Sequence, residues 1–322
     1  MLPVVTESRL LSPWKKIRAS VVLKVYLTAI ALYIVSGLME RNYFTLQHLM
    51  DTLVLASFLG IVAMGQTLVI LTGGIDLSIS YVLNFGAVMM TQMTTEHGGI
   101  AAAVIVCLTG LVIGVLNGIG VAYFNISPLI MTLGMNSVVK GLSLIYTNGT
   151  PKGSAPHWLR FLGTGSILGI RTAILVWILL TLAVVVLLMK TTFGRRIYAL
   201  GNNPYTSYLS GVNNKRITIS VYALSSLFAV LAGMMMTGFS GLSYLGMGDM
   251  LLLPSVAAVV IGGTSILGGM GGYLGTFAGA VIIYILQSIL TIVHMQDAGR
   301  QILYGLVILV VLFLYGRDSK RN

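Results

Sequence analysis

Charged side chains are scarce: they make up 8% of the 322 residues, and only eight residues are acidic. Soluble domains run near 25% charged and need that polar cover, so a soluble globular protein is excluded. The single cysteine, Cys107, lies in an apolar run. That excludes an intrachain disulfide and a cysteine-based metal site, and leaves a small packing residue. The four histidines (His48, His97, His157 and His294) have no metal-ligand companions in sequence, so no metal site is expected. Catalytic wording is missing too: there is no Gly-x-Ser-x-Gly elbow, His-Glu-x-x-His pair or histidine–carboxylate cluster, which argues against a membrane enzyme. No Gly-x-x-x-x-Gly-Lys-Ser/Thr loop occurs, so ATP hydrolysis falls to another subunit. An ion-coupled secondary transporter would want several carboxylates at the midplane, and the chain offers essentially one, Asp76.

What remains is apolar length. Hydrophobic residues reach 57% and the mean hydropathy is +0.95. Windows of roughly 18–22 residues with few charges are long enough to cross ~30 Å of hydrocarbon. Ten spans are predicted near 20–38, 52–72, 79–95, 100–123, 127–146, 173–189, 217–238, 251–268, 271–293 and 300–316. The fold class is therefore all-α: a polytopic helical membrane protein of about ten transmembrane helices, with a broken segment near Gly73-Gly74. A single transmembrane domain over 20–316 is expected between tails at 1–19 and 317–322. The N-terminus has no signal-peptide pattern, so its first hydrophobic run reads as a retained helix.

The net charge of +11 reads as membrane topology rather than as affinity for nucleic acid. With the N-terminus inside, 13 of the 19 basic residues fall on inner segments, including Lys190, Arg195, Arg196, Lys215 and Arg216. Five fall outside and Lys140 lies within a span, while Glu40, Glu96, Asp249 and Asp297 go outside. This bias predicts both termini in the cytoplasm, a cytoplasmic loop at 190–216 and an external loop at 147–172. The external loop is apolar enough to fold against the outer surface and to suit docking of an external partner. Gly110, Gly114 and Gly118, like Gly271, Gly275 and Gly279, repeat every four positions and predict close helix packing.

Candidate chemistry gathers at the break. Gly73 and Gly74 interrupt an apolar stretch before Asp76 and Ser78. Asp76 carries two compatible readings: a cap for the next helix with Ser78 assisting, or a pathway and hinge residue beside a cavity. Asn117, Asn125, Thr132 and Asn136 are either helix–helix contacts or hydrogen-bonding groups for a neutral polyol. Pro128 opens the fifth span, Gly262 and Gly263 belong to the Gly-rich hinge that divides the eighth and ninth, and Lys140 is expected to reach headgroups or pair locally. In the cytoplasmic loop, Asn203 and Pro204 are placed to start a helix of about seven residues and Gly211 to end it. Such a helix needs a partner to pack on.

The run Phe193-Gly194-Arg195-x-x-Tyr198-Ala199-x-Gly201-x-Asn203, closing in Ser210-Gly211, resembles the coupling loop of ABC importer permeases of the ribose/xylose class. Further landmarks stand in that family's order: Gly73-Gly74-Ile75-Asp76-Leu77-Ser78, Pro128-x-x-x-Thr132-Leu133-Gly134, Thr147-x-Gly149-x-Pro151, Val259-Val260-Ile261-Gly262-Gly263-Thr264 with Gly268-Gly269, and Gly275-x-x-x-Gly279. The resemblance covers roughly 50–316 and implies a bacterial inner-membrane permease. Its partners would be a second permease copy or paralogue, cytoplasmic ATPases that use ATP and Mg2+, and an external sugar-binding protein, with no cofactor on this chain. The loop helix, with Tyr205, Tyr208 and Leu209, would insert into the ATPase. Branched-chain amino acid and nucleoside permeases remain open readings. The family pattern has Gly at position 80, Glu-Leu-Asp before the Val-Val-Ile-Gly-Gly run and often Arg at 140. Here Ser80, Leu252-Leu253-Pro254 and Lys140 stand in those places.

Overall fold

The computed structural model describes residues 21–306 and Leu309. The expected tails at 1–19 and 317–322 and most of the tenth span lie outside the described residues. In chain order the helices are α1 (Val21–Met39), α2 (Leu46–Leu71), α3 (Ile79–His97), α4 (Gly99–Ala122), α5 (Pro128–Thr147), α6 (His157–Thr164), α7 (Thr172–Lys190), α8 (Thr192–Asn202), α9 (Pro204–Leu209), α10 (Asn214–Ser240), α11 (Leu252–Ile261) and α12 (Tyr273–Ile292). A hairpin of two short antiparallel strands, β1 (Ser166–Ile167) and β2 (Ile170–Arg171), follows α6. Residues 297–306 are helical as well.

Among the described residues, α1, α2, α4, α5, α7, α10 and α12 are long and apolar enough to cross a membrane. The helix α3 has the length but carries Ser80, Asn84, Thr91 and Gln92, and it is buried along most of its course. The expected eighth span at 251–268 is corrected. Its helix, α11, stops at Ile261 after 10 residues, about 15 Å and half a crossing. The chain turns at Gly262-Gly263, and 264–272 form an irregular glycine-rich loop.

The core is built around α2, whose side chains are buried without interruption from Ala56 to Leu71. Packed on it are α10, α11, α12 and α7. The four-residue glycine stripe of α4 seats on α10: a Cβ on Gly114 would overlap the backbone of Tyr222 and Ala223, and one on Gly118 would overlap Ile219. In the second stripe, Gly275 and Gly279 meet the carbonyls of Gly262 and Ala258 on α11. Backbone contact of this kind adds dispersion energy that larger side chains would block. Across the core, Trp177 Nε1 donates to Tyr273 Oη (2.8 Å), which donates to Gly60 O (2.9 Å). Trp177 also stacks on Phe277 at 4.0 Å between centroids, tying α7 to α12 and α2. At one end of the bundle, α6 lies against α10, with Gly163 on the backbone of Gly238 and Phe239. At the other end, α8 covers the end of α2, and α9 packs on α8 and α10.

Candidate functional site

The helix break lies between α2 and α3. Gly73 has φ +82°, a left-handed conformation that a side chain would strain, and it lets the chain reverse after Leu71. Gly74 lies under the buried hydroxyl of Tyr222. The chain then exposes amides at the start of α3 with no helical acceptors; Asp76 and two side chains of α5 accept from them, while α4 and α10 hold Ser78 and Asp76 in place. Asp76 Oδ1 accepts from Ser78 N (3.0 Å) and Ser78 Oγ (2.6 Å), and Asp76 Oδ2 accepts from Ser225 Oγ of α10 (2.8 Å). From α5, Thr132 Oγ1 accepts from Leu77 N (3.0 Å) and Asn136 Oδ1 from Tyr81 N (3.2 Å). From α4, Asn117 Nδ2 donates to Ser78 Oγ (2.9 Å). Asp76, Ser78, Asn117 and Thr132 are fully buried. A carboxylate in that position has to be enclosed by donors, because lipid cannot hydrate it.

The structure brings Gly73, Gly74, Asp76, Ser78, Asn117, Thr132 and Asn136 together, and Pro128 contributes through its carbonyl, which accepts from Thr132 Oγ1 (2.8 Å). Asn125 stands apart: it is exposed in the turn between α4 and α5 with φ +52°, a conformation asparagine tolerates better than most residues. Ser225 and Tyr222 complete the cluster and were missed in sequence. The available signal was Ser225-Ser226, a polar pair in the middle of an apolar helix.

Below the break, the sequence expectation of a lone short helix is corrected, since α8 precedes it over Thr192–Asn202. Thr191 Oγ1 accepts from Gly194 N (3.1 Å) and caps α8. Ile197, Leu200 and Gly194 face inward, Phe193 packs on the core edge, and Arg195 and Arg196 are exposed. A Cβ on Gly201 would overlap Leu71 O and crowd Gly269 N. Gly269 N donates to that same Leu71 carbonyl (3.0 Å), and Tyr198 Oη donates to Gly271 O (3.0 Å). Burial raises the Tyr198 hydroxyl pKa above the ordinary tyrosine value. Gly262 and Gly263 line a cleft of about 550 Å3 beside this seam with Leu188, Tyr198 and Gly272.

The next helix, α9, follows after the single extended residue Asn203. Asn203 N donates to the Ala199 carbonyl at the end of α8, and Asn203 Oδ1 caps α9 by accepting from Thr206 N (3.0 Å). Pro204 occupies its first turn, Ser210 Oγ donates to Thr206 O (2.9 Å), and Gly211 turns the chain at φ +79°. Ser207 Oγ and Pro204 O bond the Asn214 amide (3.0 and 2.7 Å), anchoring α9 to α10. Tyr205, Tyr208 and Leu209 stand free at 72%, 68% and 66% exposure. Lys140 lies over the Tyr81 ring at 5.3 Å, a local pairing as expected. Among the described residues no group of three or more His, Cys, Asp or Glu side chains is placed to hold a metal ion.

A family model described as branched-chain amino acid transport system / permease component matches residues 48–312. The chain belongs to this permease family. Relatives agree along nearly the whole length. The permease is 33% identical over 304 residues to the ribose import permease protein RbsC of Escherichia coli (strain K12), covering 93% of this chain and 94% of the relative. It is 32% identical over 300 residues to RbsC of Bacillus subtilis (strain 168), with 92% of each covered. It is 33% identical over 292 residues to the autoinducer 2 import system permease protein LsrC of Yersinia pestis (strain Pestoides F), covering 90% and 83%. No solved structure matches it. Together with its apolar helices, family membership makes the chain a multi-pass membrane permease.

Proposed function

We propose that this permease is the transmembrane subunit of an ATP-driven ABC importer in the bacterial inner membrane, carrying a sugar delivered by an external binding protein. Both termini and α8–α9 face the cytoplasm, and α6 with its hairpin faces outward. Two permease subunits, identical or paralogous, enclose the pathway. Cytoplasmic ATPases use ATP and Mg2+, and this chain binds no cofactor of its own. The sugar class is supported by relatives whose names specify ribose and autoinducer 2 import.

One observation carries the reading. The helix α9 presents Tyr205, Tyr208 and Leu209 to solvent, while α8 is seated by backbone contact on Leu71 and Gly269, next to Gly73. An apolar knob on a short helix is a docking element for a groove on another protein. Its rigid seat connects docking to the Gly73–Asp76 break, so closure of the ATPases moves α2 against α3. Phe193, Gly194, Arg195, Tyr198, Ala199, Gly201, Asn203, Pro204, Tyr205, Ser210 and Gly211 form the arm, and Gly73, Gly74, Asp76, Ser78, Gly262 and Gly263 form its hinge.

Co-purification of the ATPases with the full-length permease tests this. Replacing Tyr205, Tyr208 and Leu209 together with Ala should abolish co-purification and ATP-driven uptake while leaving membrane insertion intact. ATPases that stay bound to that variant, or uptake driven by an ion gradient after ATP depletion, would overturn the proposal.

A further inference from the structure

Between α10 and α11 the chain runs back into the bundle along α3. Ser243 Oγ meets Thr91 Oγ1 (2.7 Å), Gly246 N and Met247 N donate to Asn84 Oδ1 (2.8 and 3.3 Å), and Ser80 Oγ donates to Asp249 Oδ1 (2.6 Å). From Thr91 to Ser80 is about 16 Å along the helix axis. Asp249, expected outside from the charge pattern, is therefore carried well inside the bundle. The following helix α11 takes about 15 Å more to reach the loop beside α8. The side chain of Asp249 is exposed at this depth, and among the described residues its Oδ2 receives no hydrogen bond.

Lys140 is the matching group. It lies about 18 Å along α5 from Pro128, and its amine sits over Tyr81, the residue next to Ser80. The two charges thus flank consecutive residues in the first turn of α3. Lys140 is exposed, and among the described residues it forms no ion pair and lies over the Tyr81 ring. It shares an arc of α5 with Ser137, Gly134 and Gly141, and a Cβ on either glycine would meet open space. Exposed Leu133 and Leu144 lie on the same side of α5 as Lys140, and Val138, Leu142 and Ile145 continue the exposed surface beside it. Two exposed charges at mid-depth have to face water rather than acyl chains.

We propose that Asp249 and Lys140 are a solute-reading pair on the pathway wall, specificity-determining residues for an uncharged polyhydroxylated solute. Asp249 Oδ2 accepts from one solute hydroxyl and the Lys140 ammonium donates to another as the solute passes the start of α3. Ser80 positions the carboxylate by holding Oδ1. Asp249 supplies the one carboxylate between α10 and α11, and Ser80 donates to it. The inference rests on the transport reading above.

The test uses the permease assembled with its own ATPases and binding protein in proteoliposomes, with a radiolabelled pentose as probe. Asp249→Asn and Lys140→Gln should each lower uptake about tenfold, the loss expected for one charge-assisted hydrogen bond. ATPase association and ATP hydrolysis should persist, and Lys140→Arg should retain most uptake. Unchanged uptake in both neutral variants would overturn the pair. An independent readout does not depend on activity: in a Cys107→Ser background, Asp249→Cys and Lys140→Cys should react with a charged, water-soluble maleimide. Reaction only with a lipid-soluble maleimide would overturn the inference even if uptake fell. Failure of the wild-type assembly to take up any solute with ATP would instead sink the transport reading, and the labelling result would still decide whether the pair faces water.

Discussion

Asp76 and Asp249 flank the same helix start and live in opposite circumstances. Asp76 is fully buried and accepts three hydrogen bonds from Ser78 and Ser225. Asp249 is exposed, accepts one bond from Ser80 and keeps an oxygen free. A carboxylate whose lone pairs are spoken for holds helices together, and one with a free oxygen can bind something that comes and goes. Burial and hydrogen-bond count, more than residue type, separate structural from functional acids here.

That contrast can be broken by mutation. The largest effect is expected for Asp76→Leu, which leaves the two Ser78 donors and the Ser225 hydroxyl unpaired in the core. It should cost about 3–5 kcal/mol, read as a lower thermal unfolding midpoint in detergent. Asp249→Leu in the same assay should change stability by less than about 1 kcal/mol, and equal losses for the two variants would erase the distinction. Next in size, Gly201→Val forces a side chain into Leu71 O, so it should cost about 1–3 kcal/mol and uncouple ATP hydrolysis from uptake. Tyr198→Phe removes the bond to Gly271 O and should cost about 1 kcal/mol. Because burial raises this hydroxyl above the usual tyrosine value, its contribution is present below pH 10.0 and is lost only as pH climbs through the raised pKa. The wild-type and Tyr198→Phe melting curves should therefore stay a constant distance apart from pH 6 to 9. Smallest, Asn203→Ala should cost about 0.5–1 kcal/mol through loss of the α9 cap, seen as weaker ATPase co-purification.

Local signals were legible and distant ones were not. Asn203, Pro204 and Gly211 bracket α9 to the residue, because caps and turns are written in adjacent side chains. The Gly73-Gly74 break and the glycine stripes on α4 and α12 were readable for the same reason. In contrast, α8 was missed because Gly194 and Gly201 make poor helix formers, and they are kept for backbone seating that only the fold reveals. The run 250–268 looks like one apolar span, yet its helix covers just Leu252–Ile261. What lowers Asp249 into the bundle is a ladder to Thr91, Asn84 and Ser80, residues more than 150 positions away. Ser225 and Asp76 are likewise 149 residues apart, and neither pattern nor spacing couples them.

The contact of Gly201 with the Leu71 carbonyl and the Gly269 amide has a mechanical consequence. Long side chains between two moving parts would act as springs, absorbing a small displacement by changing rotamer before passing it on. Peptide planes pressed together have no such compliance. On the coupling proposed above, a push at Tyr205 would arrive at Gly73 with little backlash, and the stroke of a distant motor would be spent on the glycine pair that can bend.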